Sequence, residues 1–105
     1  MDKKTVLDII SEFRKLLESK GITSQKLILF GSFADGSFRE DSDIDLIVIS
    51  KDFGNKDYWQ RIEILSEVIY ELFKPIEAIA MTPAEWEQGD SMIADFARKG
   101  EVVYG

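Results

Sequence analysis

The sequence predicts an α/β (α+β) fold, a small mixed β-sheet flanked by helices. Three observations carry this. Two short apolar runs, Lys26–Phe30 and Ile44–Ile49, bracket a loop rich in Gly, Ser and Asp. Two longer segments repeat apolar residues at helical spacing, one before these runs and one after them. The second of these segments is long enough to cross over between parallel strands, and a third apolar stretch, Ile76–Met81, follows it. At 105 residues the chain is expected to be one domain, 1–105, with a single core.

Each element has a local reason. Val6, Ile9, Ile10, Phe13, Leu16 and Leu17 form one apolar stripe, which predicts a helix over residues 4–20, with Gly21 as its stop. Lys26–Phe30 is a short apolar run ending at Gly31 and reads as a buried strand. Residues 31–42 read as loop with one helical turn. Ile44–Ile49 is rich in β-branched residues, which suits a central strand covered on both faces. Residues 51–56 hold Asp52, Gly54 and Asn55 and read as a turn. Tyr58, Ile62, Leu65, Ile69 and Leu72 mark a helix over residues 57–73, ended by Pro75, and the nearby Trp59 and Phe73 are expected to widen its packed stripe. Thr82-Pro83-Ala84-Glu85 is a capping-box start for a further helix. A last short helix is expected over residues 90–99, and a strand over residues 102–104.

Composition narrows the chemistry. The formal net charge is −7, from 20 acidic and 13 basic residues. Such a surface repels phosphate backbones, so direct nucleic-acid binding is not expected. A single nucleotide stays compatible, because bound Mg²⁺ reverses the local sign. A basic protein partner would also be complementary. With no Cys and no His, thiolate chemistry, imidazole bases and the usual zinc ligands are all excluded. Carboxylates, hydroxyls, basic side chains and metals must do any catalysis. The first residues lead into an amphipathic pattern, with no signal-like or membrane-spanning run, so the expected location is the cytoplasm.

The chemistry concentrates in residues 31–46. Gly31 and Ser32 directly follow a predicted strand. Glycine permits a close backbone approach, and successive N–H groups in such a turn can cradle an anion, with the Ser32 hydroxyl beside them. Asp43 and Asp45 stand two apart where the next strand begins. Alternate strand residues share a face and rise about 6.6 Å, so both carboxylates can address metal ions between them. Mg²⁺ prefers such oxygen ligands, and a pair of ions would clamp the attacking and leaving oxygens of a phosphoryl displacement. An Asp-x-Asp pair alone is weak in so acidic a chain, and Gly-Ser alone is a common turn. Their combination at this spacing, each beside a strand, is specific.

These residues resemble the signature of the DNA polymerase β-like nucleotidyltransferase superfamily, and in particular its minimal branch. Phe30 leads Gly31-Ser32, ten residues separate Ser32 from Asp43, and Ser42-Asp43-Ile44-Asp45-Leu46 closes the pattern. Ala34 and Gly36 also stand at matching positions. The resemblance implies a polymerase β-like nucleotidyltransferase fold. It implies that Gly31, Ser32 and Ser42 bind nucleotide and that Asp43 and Asp45 hold Mg²⁺, two ions in all, with ATP as substrate. The family carries a third carboxylate on a later strand, and Ile76-Glu77-Ala78 occupies that slot, so Glu77 is the implied third metal ligand or base. One departure stands out. The family's Arg before the second Gly is Asp35 here, which places an anion where a phosphate-facing cation is usual. Arg39, in the same loop, is the candidate to compensate.

Small proteins of this branch commonly pair with a helical HEPN-domain protein in toxin–antitoxin systems, and in some of these the nucleotidyltransferase is the antitoxin and transfers AMP to a Tyr hydroxyl of its partner. The resemblance therefore implies a Mg-dependent nucleotidyltransferase whose acceptor is a HEPN-type toxin. Asp35 keeps an alternative open, a binding module that neutralises its partner by contact alone. A subunit whose acceptor pocket comes from a separate chain is a third reading.

Overall fold

The computed structural model describes residues 1–89, 95 and 97–105. Helix α1 (Lys3–Ser19) begins at Asp2, whose carboxylate accepts the Thr5 N–H at 2.8 Å. It ends in a Schellman turn, with Gly21 N–H bonded to Glu18 O and Ile22 N–H to Leu17 O. Gly21 takes φ 87 there, and buried Ile22 supplies the apolar contact that accompanies such turns. The elements β1 (Lys26–Phe30), α2 (Ser32–Asp35), β2 (Ile44–Ile49), a 3₁₀ turn (Lys51–Phe53), α3 (Tyr58–Leu72), β3 (Ile76–Met81), α4 (Pro83–Gln88) and β4 (Glu101–Tyr104) follow. The three apolar runs read from the sequence are the strands β1, β2 and β3. The expected capping box at Thr82 and Glu85 is present, and α3 starts with another, formed by Asp57 and Gln60. The helix expected over 90–99 lies mostly outside the described residues.

The four strands form one mixed sheet in the order β3-β2-β1-β4. β1 is antiparallel to β2 and β4, whereas β2 and β3 are parallel and joined by the α3 crossover. One face of the sheet packs on α1 and α3 through Leu27, Leu29, Leu46, Val48 and Ile76, with Phe13, Phe33 and Phe53 filling between. The other face carries a smaller cluster of Ile28, Ile47, Ile49 and Ala97, with Ile79, Met81 and half-buried Trp86 against it. Because both faces of β2 are covered, its sequence is apolar throughout except at Asp45. No helix among the described residues is long and apolar enough to cross a membrane.

One packing expectation is overturned. Tyr58, Trp59 and Phe73 do not join the core; they are 68%, 73% and 86% exposed. Helix α3 buries Leu65 and Val68 against α1 and β3, and the aromatic residues occupy a neighbouring flank that no described residue covers. Helical spacing placed them beside the apolar stripe but could not say how wide a stripe the fold would cover.

Candidate functional site

The site forms where β1 ends and β2 and β3 begin. Sheet register aligns Phe30, Asp45 and Glu77 in one row, Phe30 opposite Asp45 and Asp45 opposite Glu77. The Ile44 N–H donates to Pro75 O at 2.8 Å, which ties the start of β2 to the residue before β3. Hence two acids far apart in sequence become neighbours on one sheet face. Glu77 sits on an edge strand and is exposed, which is how an acid is tolerated in an otherwise apolar run.

Asp45 is half-buried. Burial, then its hydrogen bond with Glu77 and the charges of Glu77 and Asp43, push its pKa up to about 6. Such a contact between two carboxyl groups requires a shared proton or a cation. Asp43 is exposed just before β2 and acts on Asp45 through its charge. Among the described residues no three acids are drawn together into a ready-made cation site. The Asp45–Glu77 pair nevertheless suits a hard divalent cation. Its donors are carboxylate oxygens, Mg²⁺ commonly takes one or two of these with substrate phosphates, and a cation would relieve the repulsion that now raises the Asp45 pKa.

Gly31 makes room for this pair. Its φ of 73 lies in the left-handed region, and a Cβ built there would overlap the Asp45 carboxylate, 3.2 Å from its Cγ. Gly31 then starts α2, its carbonyl accepting the Ala34 and Asp35 N–H groups at 3.1 and 3.2 Å. The Ser32 and Phe33 N–H groups stand in the first turn, where no carbonyl of the turn can reach them. Phe33 anchors the turn. It is buried and stacks on Phe38 with ring centroids 4.7 Å apart.

The loop residues are placed as follows. Ser42 closes a turn, its hydroxyl accepting the Arg39 N–H at 2.7 Å and its N–H donating to Arg39 O at 3.1 Å. The Asp35 carboxylate accepts from Ser37 N at 2.8 Å and Ser37 Oγ at 2.6 Å, which holds its pKa below the usual value. The acid thus has a local task in ordering its own loop. Arg39 is exposed and forms no ion pair with a described residue, Asp35 included.

The sequence reading missed an open cleft of about 490 Å³ beside the turn, lined by Phe30, Gly31, Ala34, Asp35, Asp95, Lys99 and Gly100. In the sequence, Lys99 is only the last residue of the helix expected over residues 90–99. The only linear hint was Gly100, where a Cβ would meet Leu29 O at 2.6 Å, so this segment lies directly against β1.

Comparison with known proteins gives the same picture. Residues 10–99 match the family described as "Nucleotidyltransferase domain". The Methanocaldococcus jannaschii protein named "Putative protein adenylyltransferase MJ1305" is 36% identical over 72 residues, covering 68% of this chain and 48% of that protein. The chain spans about half the length of the curated relatives it matches. A Sulfolobus solfataricus structure described as a "putative nucleotidyltransferase" superposes with TM-score 0.70 at 18% identity, covering 93% of this chain and 78% of that one. A structure described as "the toxin-antitoxin with AMP-PNP" superposes with TM-score 0.62 at 23% identity, covering 94% and 73%. The fold of the mixed sheet and its helices is that of these proteins. The match over residues 10–99 includes both the Gly31-Ser32 turn and the Asp43, Asp45 and Glu77 carboxylates, and the chain belongs to the nucleotidyltransferase domain family, in its minimal branch.

Proposed function

We propose that this chain transfers AMP from ATP to a hydroxyl of a protein partner, releasing pyrophosphate, and acts as the antitoxin of a helical HEPN-type toxin modified on Tyr. The observation that carries the reading is the Asp45–Glu77 pair, flanked by Asp43 and set against the Gly31 turn. Two similar proteins support it, the relative named a putative protein adenylyltransferase and the toxin–antitoxin structure with AMP-PNP.

The residues divide the work. The first-turn N–H groups and the Ser32 hydroxyl bind phosphate oxygens, and Ser42 fixes the loop that brings Asp43 alongside. Asp43, Asp45 and Glu77 hold Mg²⁺, which supplies neutralisation of phosphate charge when bound. The acceptor hydroxyl oxygen forms a bond to the α-phosphorus while the bond to the pyrophosphate oxygen breaks. The hydroxyl proton passes to a carboxylate, and Glu77 is the exposed member of the Asp45–Glu77 pair. Catalysis is then mainly positioning and charge stabilisation.

Calorimetric titration of ATP tests the site, with and without Mg²⁺, on wild type and Asp43→Asn. Mg²⁺-dependent binding lost in the variant is expected, and equal binding in both would remove the proposed metal site. Asp35, standing where the family has Arg, favours a second reading, neutralisation by contact alone. That reading requires Asp45→Asn to inhibit the partner as well as wild type does, with no AMP added to the partner by mass spectrometry.

A further inference from the structure

Resting on the reading that the acceptor is a protein, we propose that the exposed flank of α3 and the open edge of β3 form the docking surface for a cationic protein, which brings its hydroxyl to the Asp45–Glu77 pair. The flank carries Tyr58, Trp59, Ile62, Tyr70 and Phe73, exposed by 68%, 73%, 37%, 82% and 86%. At 3.6 residues per turn, positions 58 and 62 climb one line along the helix, with 59 and 70 beside it, and Phe73 follows as the C-cap. Exposed apolar residues scattered singly need no explanation, but a strip of five on one helix flank marks an interaction surface. Aromatic residues are also the usual anchors of protein interfaces.

Phe73 strengthens the case. It is the only described non-glycine residue at positive φ, 55, where glycine would be cheaper. The conformation itself caps α3, the Phe73 N–H donating to Ile69 O at 2.9 Å, so the turn accounts for the backbone but not for an exposed Phe in place of Gly.

The strip adjoins a groove of about 470 Å³ whose apolar walls include Ile62 and Leu65 of α3 and Ala78 of β3, and which Lys56, Asp57, Arg61 and Glu85 also line. Among the described residues β3 has a strand neighbour on one side only. Helix α3 ends beside the start of β3, so Phe73 stands four residues before Glu77. Glu77 alternates with Ile76 and Ala78 and so lies on the sheet face away from α3, which means that a partner seated on the strip meets it by wrapping round the open β3 edge.

Charge selects the occupant. Glu63, Glu67 and Glu71 are exposed along the next flank of α3, and only Glu71 has an ion-pair partner among the described residues, Lys20 at 3.7 Å. A second copy of this chain would bring the same acids and another net charge of −7 against them. Arg61 in the groove is already paired with Glu85 at 2.7 Å, so a basic surface with an apolar centre would meet the strip and the acids Glu63 and Glu67.

Trp59 is an exposed reporter, and the other tryptophan, Trp86, is half-buried on a different face. The test uses two synthetic amphipathic helical peptides with the same leucine face, one otherwise lysine-rich and one glutamate-rich. The lysine peptide should shift Trp59 fluorescence to the blue and saturate, with no response in Trp59→Phe. The double variant Ile62→Asp/Tyr70→Asp, altered only at exposed positions, should bind at least about tenfold more weakly. The proposal is overturned by equal response to both peptides, by no response, by unchanged affinity in the double variant, or by a wild-type dimer in sedimentation that the double variant abolishes. Calorimetry with ATP and Mg²⁺ separates the two readings. Intact nucleotide binding without peptide docking overturns the surface alone, and docking without nucleotide binding in the wild type overturns the transfer reading and the acceptor role with it.

Discussion

Gly31 and Asp45 share a space that only a residue without a side chain allows. The Asp45 carboxylate lies where a Gly31 Cβ would stand, and Gly31 is held at φ 73. Gly31→Ala therefore adds both backbone strain and a clash with a candidate metal ligand. We expect a loss of about 1–2 kcal/mol in urea unfolding, the usual cost of a Cβ in the left-handed region. ATP binding in the presence of Mg²⁺ should fall much further than stability, because the displaced group is Asp45 itself.

The raised Asp45 pKa sets a pH dependence with a definite sign. The folded state holds its proton up to about pH 6, whereas the unfolded chain releases it near 3.8. This acid therefore costs the metal-free protein stability as pH rises from about 4 to about 6. Asp2, Asp35 and Glu85 have lowered pKa values and act in the opposite sense, so the comparison must be internal. Relative to wild type, Asp45→Asn should gain stability between pH 4.5 and pH 7. A cation must displace the proton, so Mg²⁺ affinity in the wild type should rise up to about pH 6 and then level off.

Phe73→Gly offers a stability measurement with an unusual expected sign. A buried Phe cut back to a small residue costs about 3–5 kcal/mol. Phe73 is 86% exposed at φ 55, so the glycine variant should be as stable as wild type or more stable by up to about 1 kcal/mol. A marked drop in thermal midpoint would mean that the ring packs in solution.

Asp35→Arg tests the one departure from the family pattern. The substitution restores a cation beside the Gly31 turn and removes the two hydrogen bonds from Ser37. ATP affinity measured with Mg²⁺ should increase, by about tenfold if the guanidinium reaches a phosphate. A decrease would show that the order of this loop matters more than its charge.

The elements were legible because each carries a local signal. The apolar runs gave the strands, and Thr82 with Glu85 gave a helix start that the structure contains. The Gly31-Ser32 turn and the Asp43–Asp45 pair were legible as a spaced pattern within one segment. The nearness of Glu77 to Asp45 was not, since it depends on the parallel register of β2 and β3, and only the family resemblance pointed to it. The cleft at Lys99 was hidden for the same reason, being made by distant segments meeting at β1. The exposure of Tyr58, Trp59 and Phe73 was misread because amphipathic spacing reports a direction on a helix, not how far its neighbours extend.

The position of Glu77 has a consequence for access. Asp45 rides on a strand stitched along both sides, while Glu77 rides on a rim that, among the described residues, is stitched along one side. Of the two carboxylates, Glu77 is therefore the one that solvent, or a molecule arriving at the sheet rim, meets first, while Asp45 is reached only past it.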